Sequence, residues 1–140
     1  MVTTVFILSG TTFTVPSDWN SASNTIEIIG AGGNGGDGVA NTSEGAGGGS
    51  AGYSRVSNTA LTPGSSVAVQ VGVGGGGSAA GNDTFIKNNS STVVCLTQAG
   101  GNASGATGGT AGGIGRAVGS VKTAGVDGGS PPAAALRGGA

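Results

Sequence analysis

Val67-Ala68-Val69-Gln70-Val71-Gly72-Val73 alternates valine with small or polar residues without a break. Successive side chains of a β-strand point to opposite faces, so this run reads as a strand with its valines on one face. A helix would need apolar residues at i, i+3, i+4 and i+7, and no window of the chain sustains that spacing together with capping residues. Outward from this run, Thr12-Phe13-Thr14-Val15 and Thr25-Ile26-Glu27-Ile28 alternate in the same way, as half-buried strands do. Tyr53 to Val56, Thr84 to Ile86 and Thr92 to Leu96 are shorter β-branched or aromatic runs. Turn signals separate them: Val15-Pro16-Ser17-Asp18, Lys87-Asn88-Asn89, and Thr62-Pro63-Gly64 with the Pro-Gly order of a type II turn. The fold class is all-β.

Glycine makes up 33 of the 140 residues, and its distribution supports the same reading. Residues 30–52 hold eleven glycines, 72–81 six and 100–140 fourteen, whereas 1–29 and 53–71 hold one each and 82–99 none. The glycine-poor blocks are the strand-like ones. Of the 27 Val, Ile, Leu and Phe residues, 22 fall in 1–99; only Ile114, Val118, Val121, Val126 and Leu136 follow. A single domain over 1–140 is expected, with a strand-bearing core at 1–99 and a glycine-rich C-terminal tract at 100–140. So small an apolar complement sits against a backbone entropy cost that is largest for glycine. The glycine segments are therefore expected to order by packing backbone against backbone, and the fold to lean on a homo-oligomeric assembly. Polyproline II, with three residues per turn and no internal hydrogen bonds, is one route. Gly109, Gly112 and Gly115 have the required spacing of three, as do Gly105/Gly108 and Gly125/Gly128.

Composition excludes several functions. Five Lys/Arg against six Asp/Glu leave a net charge of −1, with no basic surplus for a phosphate backbone, so no nucleic-acid partner is expected. The absence of histidine removes His-dependent triads and zincin-type metal sites. Cys95 is the sole cysteine; within Thr92-Val93-Val94-Cys95-Leu96 it reads as a small buried hydrophobe. No run approaches the ~18 apolar residues of a membrane span, and Met1 to Leu8 lacks the basic region of a signal peptide. The carboxylates Asp18, Glu27, Asp37, Glu44, Asp83 and Asp127 are dispersed and read as turn or solvated residues. Trp19 reads as an anchor from loop to core. No residue is assigned a catalytic role, and no ligand-binding residue is identified.

Two motif matches fail on their context. Gly30, Gly32 and Gly35 form a G-x-G-x-x-G directly after a strand, but a dinucleotide site also needs a helix there. The following Gly36-Asp37-Gly38-Val39-Ala40-Asn41-Thr42-Ser43-Glu44-Gly45 has no helical apolar stripe. The stretch Gly32 to Ala40 also fits one calcium β-roll repeat around Asp37, an architecture that needs stacked copies. No cofactor and no metal are expected.

The order of these pieces resembles the glycine-rich domain of tailed-bacteriophage tail fibres and adhesins. The likeness begins with Thr12-Phe13-Thr14-Val15-Pro16 and Ile26-Glu27-Ile28-Ile29-Gly30-Ala31-Gly32-Gly33. It continues through Gly47-Gly48-Gly49-Ser50-Ala51-Gly52-Tyr53-Ser54 and Leu61-Thr62-Pro63-Gly64-Ser65-Ser66-Val67-Ala68-Val69-Gln70-Val71-Gly72 to Gly81-Asn82-Asp83-Thr84-Phe85. The resemblance implies a jelly-roll-like β-sandwich with long glycine-rich loops, packed in some relatives as polyproline-II layers. It further implies a non-enzymatic virion structural protein, with other virion proteins (fibre, tail or capsid) and a host-surface glycan or protein as partners. The loops 30–52, 72–82 and 100–130 would then face the host. Relatives usually follow a long fibre shaft, whereas here the domain begins near Met1. A decoration protein of capsid or tail is therefore the alternative, and a virion-associated polysaccharide-cleaving enzyme a third reading.

Overall fold

The alternating runs form strands wherever one face can be buried. These are β1 (Thr12–Thr14), β2 (Thr25–Ile29), β3 (Tyr53–Ser57), β4 (Ser66–Gln70), β5 (Thr84–Lys87), β6 (Val93–Thr97) and β7 (Val121–Thr123). The structure is a computed structural model that describes residues 3–38, 44–76 and 81–132. Loop positions 77–80, Val39, Ala40 and Leu136 lie outside the described residues. No described residue is helical.

The strands form two antiparallel sheets, ordered β1-β4-β5-β6 and β2-β3-β7. Val67 and Val69 of β4, Ile86 of β5 and Cys95 of β6 point inward, joined by Val15 and Leu61. Ile26, Ile28 and Val56 from the second sheet pack against them, which makes the pair a β-sandwich. Each fully buried Val or Ile contributes roughly 1.5–3 kcal/mol. The seven strands among the described residues are one fewer than the eight of a jelly roll.

The Pro63-Gly64 turn has the expected form. Ser65 donates its N–H to the Thr62 carbonyl at 3.2 Å, and Gly64 takes a φ of 75°, a value that β-carbon-bearing residues avoid. Trp19 packs on the core while its indole N–H donates to the Thr59 carbonyl at 3.0 Å.

Two details differ from the sequence reading. The run 67–73 stays a strand only to Gln70, and Val73 is 70% exposed. Beyond Gln70 the Thr84 side chain takes over from the ladder, its hydroxyl oxygen accepting the Gly72 N–H at 3.0 Å. Conversely, Val121-Lys122-Thr123 has no apolar alternation, yet it pairs with β3 through Tyr53, Ser54 and Arg55. The glycine-rich tract thus supplies an edge strand.

Candidate functional site

Strands β2, β3, β6 and β7 do not end in ordinary loops; each is continuous with a glycine segment. Five such segments, 30–36, 46–52, 98–105, 109–112 and 125–129, hydrogen-bond to one another. Gly30, Gly33 and Gly36 donate to the carbonyls of Gly52, Gly49 and Ala46 at 3.1, 2.9 and 2.8 Å. Ala46, Gly49 and Gly52 in turn donate to Gly105, Gly101 and Gln98. Gly109 and Gly112 donate to Gly47 and Ser50, whereas Gly47 and Ser50 donate to Gly129 and Val126. Gly100 and Ala103 donate to Ala31 and Asn34, and Gly125 and Gly128 to Gly112 and Gly109.

The donors within each set step by three residues. A β-ladder repeats every two, so these segments have the screw repeat of polyproline II. The registers also set direction: 30–36, 98–105 and 125–129 run one way, 46–52 and 109–112 the other. Segment 46–52 is the hub. Its residues 46, 49 and 52 face two neighbours, and 47 and 50 face two more.

Glycine is required here for close approach. A β-carbon on Gly33 would overlap the Gly101 carbonyl, one on Gly49 the Thr110 carbonyl, and one on Gly128 the Gly47 carbonyl. The Gly30/Gly32/Gly35 motif therefore opens an extended bundle segment where a dinucleotide site would need a helix. Asp127 ties two segments together by accepting the Ala111 N–H at 2.6 Å.

At about 3.1 Å per residue, segment 30–36 is some 19 Å long. At its far end Asn34, Gly35, Gly36, Asp37 and residues 102–105 line an open polar cleft of about 800 Å³. Asn34 donates its N–H to the Asn102 side-chain oxygen at 2.8 Å there.

A second cleft, of about 390 Å³, lies on the outer face of the four-stranded sheet. Gln70, Phe85 and Leu96 stand opposite one another across β4, β5 and β6, and Asn82, Asp83 and Arg116 close one side. Asp83 is held by the Ala99 N–H at 3.0 Å and pairs with Arg116 at 3.1 Å. Sequence reading took Asp83 for a turn or solvated residue; it stands immediately before β5, and neither Phe85 nor Arg116 was singled out. The alternation of Phe85 and Lys87 with Thr84 and Ile86 was the available signal for Phe85, since it turns Asp83, Phe85 and Lys87 to the face opposite Thr84 and Ile86.

The other carboxylates stand apart. Asp18 occupies a turn, and Glu44 is exposed. Glu27 faces Arg55 across β2 and β3. Beside it the Tyr53 hydroxyl is raised above its ordinary value, by desolvation first and by the Glu27 charge second. Cys95 is fully buried, and burial pushes its thiol up to about 11. Among the described residues no three His, Cys, Asp or Glu side chains gather as a metal site would require. Compared with known proteins, the chain matches no family model, no curated protein and no solved structure.

Proposed function

We propose that the protein is a virion subunit of the tail-fibre or adhesin type that attaches a bacteriophage to its host without enzymatic activity. The observation that carries this reading is the glycine bundle, five segments bonded at three-residue steps. Such a bundle holds its turns in place through backbone hydrogen bonds between segments, without a side-chain core. The resemblance to phage adhesins anticipates packing of this kind. The far end offers the exposed Asp37 carboxylate and Ser104 side chain, groups suited to hydrogen-bonding a surface glycan or protein. Exposed Val5, Phe6 and Leu8 give apolar surface for joining another virion protein.

The test is adsorption. Labelled full-length protein should bind host cells saturably and block infection, and Asp37→Arg at the far end should weaken both without changing thermal unfolding. Binding to capsid lattice instead of cells would replace this reading with decoration, and release of sugar from host polysaccharide would replace it with an enzyme.

A further inference from the structure

The sheet-face cleft is separate from the glycine bundle's far end and has a chemistry of its own. Asp83, Phe85 and Lys87 alternate with the buried Thr84 and Ile86, so all three emerge on the outer face along one line. At about 3.4 Å per residue, Asp83 and Lys87 stand roughly 13 Å apart with Phe85 midway. Asp83 is consumed by structure: one oxygen accepts the Ala99 N–H and the other holds Arg116. It therefore positions a guanidinium whose side chain remains 70% exposed. Only one of its five N–H donors is needed for Asp83. At the other end the Lys87 ammonium lies 5.5 Å from the Phe85 ring centroid, and both residues are half-buried, so this single cation–π contact is weak enough to be exchanged for a ligand. An aromatic ring is thus flanked by two cations, with Leu96 extending the apolar floor and the Gln70 and Asn82 amides at its margin.

We propose that this face binds an acidic polysaccharide, with one pyranose ring over Phe85 and Leu96 and carboxylates of successive sugar units at Lys87 and Arg116. The C–H face of a pyranose suits an aromatic and aliphatic floor, and the amides of Gln70 and Asn82 suit its hydroxyls. Two cations against one structurally engaged carboxylate make the face locally positive in a chain of net charge −1. That favours carboxylated over neutral sugar. Single-stranded nucleic acid is also anionic and stacks on aromatics, but it depends on a longer positive groove than two cations provide.

The experiment is a titration of the full-length, isotope-labelled protein with oligogalacturonate and oligomannuronate, followed by amide NMR shifts. A saturable shift at Gln70, Asn82, Phe85, Leu96 and Arg116 is expected with at least one of them. Lys87→Gln and Arg116→Gln should each weaken binding about tenfold, the size of one lost charge-assisted hydrogen bond. Methyl-esterified oligogalacturonate, which keeps the ring and loses the charge, should bind at least about tenfold more weakly. Phe85→Ala should abolish the shifts; should it fail to fold, the Lys87 and Arg116 variants decide. No shift with either oligouronate overturns the proposal. So do equal binding of the methyl ester, insensitivity to both cation variants, and tighter binding of a single-stranded oligonucleotide. None of these outcomes bears on host adsorption through the bundle.

Discussion

The Gly49 N–H donates to the Gly101 carbonyl at 2.9 Å, and a β-carbon on Gly49 would strike the Thr110 carbonyl of a third segment. Backbone cannot swing aside as a side-chain end can. Gly49→Ala should therefore cost on the order of 3 kcal/mol, the upper range for overpacking. Gly129→Ala, where nothing lies within 4 Å of the added carbon, should be neutral or stabilise by up to about 1 kcal/mol. Urea midpoints of the two variants make the comparison, and equal effects would count against backbone packing at the hub.

Asn24 holds both backbone groups of Thr59. Its side-chain oxygen accepts the Thr59 N–H at 2.9 Å, and its amide donates to the Thr59 carbonyl at 3.0 Å. Asn24→Ala leaves a buried N–H without a partner and should destabilise by about 1–3 kcal/mol. Asn24→Asp, which keeps the acceptor, should retain part of that stability. Chemical denaturation of the three proteins measures it.

Thr97 is fully buried, and its hydroxyl has no hydrogen-bond partner. Thr97→Val keeps the shape and removes the stranded polar atom, so it should stabilise by about 1 kcal/mol. A fall in the melting temperature would show that the hydroxyl is satisfied in solution.

Cys95 gives a pH signature. Its thiol is pushed up to about 11 in the folded chain, above its ordinary value of 9.0. The folded state therefore holds this proton more tightly than the unfolded state does. The associated stability is fully present below pH 9.0 and is lost as pH rises to about 11. Cys95→Val should flatten that part of the stability-versus-pH curve. At pH 8, iodoacetamide should label Cys95 only as fast as the chain unfolds.

Much of the sandwich was legible because its signal is local. Thr25 to Ile28 alternates, and Ile26 and Ile28 pack inward. Pro63-Gly64 names its turn, and the apolar run around Cys95 names a buried strand. The hydrophobic cluster falls wholly within 1–99, where the large apolar residues are concentrated. The edge strand β7 was illegible because neighbours across β3, and no burial pattern of its own, hold it in place. Val73 misled for the opposite reason: its alternation continues and its carbonyl still accepts the Asn82 N–H at 3.1 Å, but its side chain finds no core to face and is 70% exposed.

The glycine segments mark the division most clearly. Spacings such as Gly109/Gly112 and Gly125/Gly128 showed that a threefold extended conformation was open to the tract, and nothing in one segment names its neighbour. Glycine has no side chain with which to encode a register. The choice of Gly101 for Gly49, and of Gly129 for Gly47, rests on backbone groups that are chemically alike along the whole chain. Likewise, strand alternation alone turns Phe85 outward beside Lys87, whereas Arg116 reaches Asp83 only once the chain from 98 to 116 has folded back over the sheet. Local sequence determined which faces are apolar and where strands and turns fall, because those preferences act within a few residues. Tertiary structure decided which backbone meets which and which charges flank the ring, because those contacts exist only after distant segments close.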